Sequence, residues 1–221
     1  MNLPNALTLL RIFFVPLLVA VLVQEDTSYT ALGLVLSNEA VALLIFLAAA
    51  ATDLLDGYLA RRWNQITTVG MLLDPIADKL LISAALVSLV QVHRVPGWMA
   101  VLIIGREFAV SGLRSIAASE GYTIQASELG KTKMVTQVVA IALILVAEDY
   151  PQLIPAAQAA LWGTMVFALV SAADYARKFW HRIDESIKER RRIELIRLER
   201  GHQKARMRAA RTARQGKVRQ G

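Results

Sequence analysis

Six long apolar stretches, separated by short polar links, make up most of the chain. A helix that crosses a lipid bilayer needs ~20 predominantly apolar residues, and each stretch is about that long. The pattern therefore predicts an all-α integral membrane fold, a bundle of six transmembrane helices. The predicted spans cover about residues 6–24, 40–61, 70–92, 97–118, 130–148 and 154–177.

The Lys and Arg residues of the links alternate along the chain. The links after the first and fifth stretches contain none, whereas the second link carries Arg61 and Arg62. The third link has only Arg94, and the fourth runs into Lys131 and Lys133. Cytoplasmic links of membrane proteins carry an excess of Lys and Arg. We therefore expect both termini to be cytoplasmic and the second and third spans to meet at the cytoplasmic face.

Composition changes this picture mainly at the C-terminal end. Hydrophobic residues make up 55% of the 221 residues, and the absence of cysteine excludes disulfide bonds and thiolate metal sites. Residues 177–221 hold 16 Lys/Arg and 5 Asp/Glu, a net charge of +11 within a chain whose total is +7. We expect a membrane domain over residues 1–178 and a basic cytoplasmic tail over residues 179–221, helical at first and then disordered.

The basic tail has three candidate roles. A polybasic surface can bind anionic lipid, a solvated extension can have no function, and positive charge alone can attract nucleic acid. The lipid role is favoured because the tail follows the last span on the cytoplasmic side. No nucleic-acid partner is expected.

Four aspartates interrupt the apolar sequence between the second and third stretches. Asp53 and Asp56 are three residues apart, and Asp74 and Asp78 are four apart, so each pair lies on one face of a helix. Carboxylates in an apolar setting require cations, and hard divalent ions prefer oxygen ligands. The spacing therefore predicts a divalent metal site.

Protein cations offer an alternative to a metal. Arg61, Arg62 or Lys79 could form ion pairs with the aspartates directly. Arg11 lies on another polar stripe, near the start of the first span. A contact with a nucleotide, helix capping and snorkelling to the interface are all open for Arg11.

The aspartates belong to a longer spaced pattern, Asp53-x2-Asp56-Gly57-x2-Ala60-Arg61-x8-Gly70-x3-Asp74-x3-Asp78. At every position, this pattern resembles the signature of the CDP-alcohol phosphatidyltransferases. Four further segments are similar to the bacterial phosphatidylglycerophosphate synthase branch of that family: NLPNALTLLRI, ARRWNQITTVGMLLDPIADK, GREFAVSGLR and GKTKMVTQ. The resemblance covers roughly residues 1–178 and leaves out the basic tail.

The resemblance implies a reaction and its participants. Members of this family displace CMP from a CDP-linked lipid with the hydroxyl group of a second alcohol. In this branch the donor is CDP-diacylglycerol, the acceptor is sn-glycerol 3-phosphate, and the product is phosphatidylglycerol phosphate. The resemblance also implies two divalent ions (Mg²⁺ or Mn²⁺), a homodimer, and a multi-pass location in the cytoplasmic (inner) membrane with the active site facing the cytoplasm.

The resemblance further assigns roles to residues of the pattern. Asp53, Asp56 and Asp74 are expected to bind the metals. Asp78 is expected to be the general base for the acceptor hydroxyl and to contact a metal as well. The residues expected to contact the CDP-lipid are Asp56, Gly57, Ala60, Arg61 and Gly70.

A dianionic acceptor such as glycerol 3-phosphate calls for cationic side chains. Arg106 and Arg114 are eight residues apart and share roughly one helix face, and Lys131 and Lys133 begin the next span on the same side. We expect these four residues to bind the acceptor phosphate. The alternatives are an ion pair between Arg106 and Glu107 and a purely topological role for the lysines.

Two other functions compete with this interpretation. A sister enzyme would use the same donor with another acceptor, namely inositol phosphate, serine or phosphatidylglycerol, and the aspartate pattern does not separate these. A metal or proton transporter would place acidic residues near the middle of the bilayer on broken helices. The clustering of the aspartates near one face argues against the transporter.

Overall fold

The computed structural model describes residues 3–24, 29–31, 34–63, 68–119 and 129–218. Side chains are described in these ranges except at residues 3–5, 29–35, 54, 56–61, 63, 68–72, 74, 129–133 and many positions from residue 185 onward. The chain divides into two compact units, Met1–Asp174 and Tyr175–Gly221. This division falls close to the predicted boundary after residue 178.

Helices dominate the described part of the chain. Their bounds are α1 (Leu3–Val23), α2 (Asn38–Trp63), α3 (Thr68–Gln91), α4 (Gly97–Ser119), α5 (Leu129–Asp149) and α6 (Ile154–Val218). Each predicted apolar stretch coincides with one of these helices. A short antiparallel pair in the first link, β1 (Tyr29–Ala31) and β2 (Leu34–Leu36), is a small departure from the all-α prediction.

The core of the first unit consists of one apolar face from each helix. Helix α1 packs against α2 and α3, α2 also packs against α5, and α3 packs against α4. Buried residues recur three or four positions apart, as Ala42, Phe46 and Ala49 do in α2, because a helix repeats its faces at that spacing. This packing brings α1, α2 and α3 together around the predicted aspartate site.

Large apolar side chains also cover the outside of the helices. Phe13, Val87, Val101 and Phe108 are all more than half exposed, an arrangement that lipid favours and water does not. The windows Ala6–Val23 and Pro151–Asp184 are long and apolar enough, by length and composition, to cross a membrane. The structure therefore supports a helical protein with two candidate membrane spans.

A helix cap and two ion pairs stabilise the end of the bundle opposite to the aspartates. Ser37 Oγ accepts a hydrogen bond from the N–H of Ala40 at 3.1 Å and so caps the start of α2. Arg94 Nη2 lies 2.9 Å from a carboxylate oxygen of Glu39 and 2.9 Å from one of Glu148. Arg94 thus connects the start of α2 with the end of α5.

Helix α6 continues to Val218, whereas the sequence predicts disorder at the end of the tail. The tail is rich in Arg, which has high helix propensity, and contains no Pro. Lys188 Nζ also donates a hydrogen bond of 2.6 Å to Asp184 Oδ2, one turn earlier. Local propensity and pairing along the helix explain why a segment with few apolar residues is helical.

Candidate functional site

A buried guanidinium joins two of the predicted site aspartates. Arg11 of α1 places Nη1 2.8 Å from Asp53 Oδ1 of α2 and 2.5 Å from Asp78 Oδ1 of α3. The side chain of Arg11 is fully buried, while those of Asp53 and Asp78 are 16% and 35% exposed. Three helices therefore meet at a single positive charge.

Each of these residues continues the buried face of its own helix. Arg11 shares its face of α1 with the buried residue Leu18, Asp53 follows Ala49 by four positions in α2, and Asp78 precedes Ile82 by four in α3. Residues at this spacing lie on the same side of a helix. The packing that forms the apolar core therefore also brings the charged groups together.

The alternatives for the basic residues can now be separated. Arg11 forms ion pairs inside the bundle, which differs from the capping and snorkelling that the sequence left open. Lys79 Nζ donates a hydrogen bond of 3.1 Å to the carbonyl oxygen of Pro75, one turn earlier on α3. The cation observed between the aspartates is Arg11, a residue that the sequence did not propose as their partner.

The other members of the predicted pattern lie in helices whose backbone is described. Asp56, Gly57, Ala60 and Arg61 fall within α2, and Gly70 and Asp74 fall within α3. Both aspartate pairs are therefore on continuous helix, as the spacing predicts. The described side chains do not include those of Asp56, Gly57, Ala60, Arg61, Gly70, Asp74, Lys131 and Lys133.

The described carboxylates suit the predicted metal by their chemistry. Mg²⁺ and Mn²⁺ prefer oxygen ligands, and Asp53 and Asp78 each offer carboxylate oxygens, one of which contacts Arg11 Nη1 in both residues. Among the side chains that the structure describes, no group of three or more His, Cys, Asp or Glu residues is placed to hold a metal ion. Asp56 and Asp74, which are predicted to complete the ligand set, lie outside these side chains.

A cavity of about 350 Å³ opens next to Asp78 between α3, α4 and α5. It brings together Asp78 and two of the residues predicted to bind the acceptor, Arg106 and Arg114. Arg114 is exposed and Arg106 is buried. The lining residues are Pro75, Asp78, Lys79, Ile82, Arg106, Glu107, Val110, Ser111, Arg114, Met134 and Gln137.

Arg106 is held by hydrogen bonds from three of its nitrogens. Nε donates to the carbonyl oxygen of Ala168 at 3.2 Å and Nη2 to Ser171 Oγ at 2.6 Å, both on α6. Nη1 donates to Glu107 Oε1 at 3.1 Å, and the same oxygen accepts a hydrogen bond of 3.2 Å from Gln137 Nε2 on α5. The ion pair with Glu107 that the sequence left open is therefore present, and Arg106 also lines the cavity.

Sequence reasoning missed the contributions of Gln137 and Ser171 to this site. Gln137 and Ser171 are buried polar residues within apolar helices, and a buried polar group requires a hydrogen-bond partner. A single polar residue in apolar sequence was the available signal that Gln137 and Ser171 each contact a polar partner inside the bundle. It does not indicate which residue would be the partner.

Known proteins resemble this chain over most of its length. Residues 1–170 match the family described as CDP-alcohol phosphatidyltransferase. The CDP-diacylglycerol–glycerol-3-phosphate 3-phosphatidyltransferase of Bacillus subtilis (strain 168) is 41% identical over 191 residues, which cover 84% of this chain and 98% of the relative. The protein of the same name from Rickettsia felis is 36% identical over 144 residues, 65% of this chain and 75% of the relative.

A relative with another name is also similar. The cardiolipin synthase (CMP-forming) of Oryza sativa subsp. japonica is 34% identical over 203 residues, which cover 81% of this chain and 58% of the relative. The family match includes Arg11, both aspartate pairs and the arginines of the cavity. On this match, this chain belongs to the CDP-alcohol phosphatidyltransferase family.

Proposed function

We propose that this protein transfers the phosphatidyl group of CDP-diacylglycerol to sn-glycerol 3-phosphate, releasing CMP and forming phosphatidylglycerol phosphate. The observation that carries the proposal is the position of Asp78, which pairs with Arg11 and also lines a cavity with Arg106 and Arg114. A carboxylate beside a cationic cavity suits a reaction in which a phosphorylated alcohol supplies the nucleophile. The relatives from Bacillus and Rickettsia carry the name of this reaction.

The donor side of the site is assigned to the aspartate pattern. Asp53, Asp56 and Asp74 would hold two divalent ions, Mg²⁺ or Mn²⁺, which supply positive charge against the diphosphate of the donor. The small residues Gly57 and Ala60 leave room for the cytidine diphosphate beside α2. This assignment follows the family pattern and the oxygen chemistry of the described pair Asp53 and Asp78.

Asp78 is assigned the role of general base. Its carboxylate takes the proton of the acceptor hydroxyl, the oxygen attacks the phosphorus of the phosphatidyl group, and the bond from phosphorus to the CMP oxygen breaks. Of the two described aspartates, Asp78 has the larger exposed fraction, 35% against 16% for Asp53. Asp78 also lines the cavity, so an acceptor bound there can reach it.

The acceptor phosphate is assigned to the cationic side of the cavity. Arg114 is exposed and offers an accessible charge, while the hydrogen bonds of Arg106 fix its guanidinium in one orientation. Such a planar group suits phosphate oxygens. Lys131 and Lys133 begin α5, which also lines the cavity, and would add further positive charge.

The membrane arrangement is part of the same proposal. Six helices cross the cytoplasmic membrane with both termini in the cytoplasm, and the aspartates lie near the cytoplasmic face. The exposed apolar side chains of α1, α3 and α4 support contact with lipid. We also propose a homodimer, which rests on the family resemblance.

A second candidate acceptor has a specific observation in its favour. The relative from Oryza sativa is named cardiolipin synthase (CMP-forming), which makes phosphatidylglycerol the alternative acceptor for this chain. Two arginines on a cavity of about 350 Å³ favour a small phosphate monoester over a second lipid. Membership of an enzyme family removes the support for the transporter alternative.

An acceptor panel tests the proposed function. Purified full-length protein in detergent would receive CDP-diacylglycerol, Mg²⁺ or Mn²⁺, and one acceptor at a time: sn-glycerol 3-phosphate, inositol phosphate, serine or phosphatidylglycerol. We expect CMP release with sn-glycerol 3-phosphate and its loss in excess EDTA. A faster rate with another acceptor would contradict the substrate assignment, and full activity in EDTA would contradict the metal assignment.

A further inference from the structure

We propose that Arg11 is a positioning residue that fixes Asp78 for proton transfer and thereby makes Asp53 and Asp78 functionally unequal. The inference rests on the proposed function, because it needs Asp78 to be the base. It adds a role for a residue that lies 67 positions away from Asp78 in the chain.

Burial keeps Arg11 paired with a carboxylate. Its side chain has 0% exposure and lies on the face of α1 that also holds Thr8 and Leu18, both buried. A charged group removed from water requires an opposite charge nearby. Because α1 packs against both α2 and α3, the buried guanidinium can contact a carboxylate on each of these helices.

Two carboxylates, from two different helices, contact a single nitrogen of Arg11. Nη1 contacts Asp53 Oδ1 at 2.8 Å and Asp78 Oδ1 at 2.5 Å. Two carboxylates this close to one point repel each other without a positive charge between them. Arg11 Nη1 therefore holds one oxygen of Asp78 at a fixed position relative to Asp53, which would help to hold a metal in the proposed function.

Access distinguishes the two carboxylates. Asp78 lines the cavity, and its side chain is more exposed than that of Asp53. Arg11 approaches Asp78 from α1, whereas the cavity lies between α3, α4 and α5. The guanidinium therefore holds one oxygen of Asp78 in place while the carboxylate faces the acceptor.

Loss of this anchor affects turnover more than binding. A displacement of about 1 Å at a reacting group lowers rates by roughly 100-fold. The groups assigned to the acceptor phosphate, Arg106 and Arg114, lie on α4, whereas Arg11 lies on α1. We therefore expect Arg11→Gln to lower kcat about 100-fold and to change the KM for either substrate by less than about threefold.

A conservative variant separates charge from shape. The contacts with Asp53 and Asp78 both use Nη1, so an ammonium group can keep these two contacts in Arg11→Lys, and we expect its kcat to fall only about three- to tenfold. Arg94→Gln is the matched control, because Arg94 Nη2 also contacts two carboxylates through one nitrogen, at the opposite end of the bundle. The control should keep the wild-type kcat even if its melting temperature falls.

The experiment compares kcat, both KM values and the melting temperature of the wild type and these three variants in detergent. The inference is wrong if Arg11→Gln keeps kcat within threefold, or if it changes KM alone. It is also wrong if its loss of kcat matches that of Arg94→Gln. Should Arg11→Gln fail to fold, Arg11→Lys decides: a lower kcat at constant KM supports the inference, whereas a higher KM or a lower melting temperature without a fall in kcat contradicts it.

If the proposed function is wrong, the experiment gives a result that differs from all of these outcomes. In that case the wild-type protein would release no CMP with sn-glycerol 3-phosphate. If the wild type uses another acceptor, the same comparison of variants is made with that acceptor. The role of Arg11 is then judged independently of the identity of the substrate.

Discussion

At the scale of single residues, Asp53 and Asp78 hold equivalent places in the sequence but have different surroundings. Both contact Arg11 Nη1, yet Asp78 has about twice the exposed fraction and lines the cavity. Environment, more than residue type, separates a metal ligand from a base. The division of labour that we propose for the aspartates thus depends on packing.

Asp78→Asn tests the role assigned to this carboxylate. The amide keeps the shape of the side chain but does not accept the proton, so we expect CMP release to fall by at least about 100-fold. Binding of CDP-diacylglycerol should stay within about threefold, because the other aspartates remain. Initial rates and a donor titration with the purified protein measure the two effects.

Asp149→Asn provides the control for this substitution. Asp149 accepts a hydrogen bond of 2.8 Å from Ser37 Oγ at the opposite end of the bundle, so its loss should leave the rate unchanged. A rate for Asp78→Asn within threefold of the wild type would remove Asp78 from the role of base.

At the scale of helices, Arg106 connects α4 to α6 and, through Glu107 and Gln137, to α5. Its partners on α6 are the carbonyl oxygen of Ala168 and the hydroxyl of Ser171. Buried polar contacts between apolar helices fix how the helices are oriented. The wall of the cavity is therefore held by the same residue that is proposed to meet the acceptor.

Arg106→Lys should destabilise the protein, in contrast to Arg11→Lys. Arg106 uses three nitrogens for three partners, and one ammonium group cannot reproduce them. Hydrogen bonds of charged groups contribute about 1.5–3 kcal/mol each, so we expect a loss of roughly 2–5 kcal/mol. Thermal unfolding in detergent measures this as a lower melting temperature.

Arg94→Lys is the comparison for that measurement. Arg94 meets Glu39 and Glu148 through one nitrogen, so lysine can keep both contacts and the melting temperature should change little. Equal melting temperatures for Arg106→Lys and Arg94→Lys would show that the three separate hydrogen bonds of Arg106 do not stabilise the fold.

At the scale of the whole molecule, the chain divides into an apolar unit that contains the site and a basic unit. The second unit, Tyr175–Gly221, includes the whole segment with a net charge of +11, residues 177–221. A basic helix can bind the anionic surface of a membrane, with about 1 kcal/mol for each basic residue near the lipid. The arrangement assigns chemistry to the first unit and surface attachment to the second.

Deletion of residues 186–221 tests this separation. We expect the truncated protein to keep its CMP release within about twofold in detergent, because the site residues lie in the first unit. On anionic vesicles it should bind less tightly than the full chain, and high salt should reduce the difference by screening. Loss of activity in a folded truncated protein would contradict the separation.

The amino-acid sequence by itself determined the helices, their order and the register of the aspartates. These features depend on local rules: the length of apolar stretches, the spacing of residues on a helix face and the propensity of each residue. The family signature also lies within continuous sequence. For these reasons all six predicted stretches were found as helices, and both aspartate pairs lie on continuous helix.

Only the tertiary structure decided which charges meet. Arg11 pairs with Asp53 and with Asp78, and Arg106 contacts Ser171. Asp78 lies 67 positions from Arg11, and Ser171 lies 65 positions from Arg106. The periodicity of one helix does not specify which face of a neighbouring helix that helix will contact. Helix packing makes that choice, because the buried faces of α1, α2 and α3 must close against each other, and their polar positions then share one site.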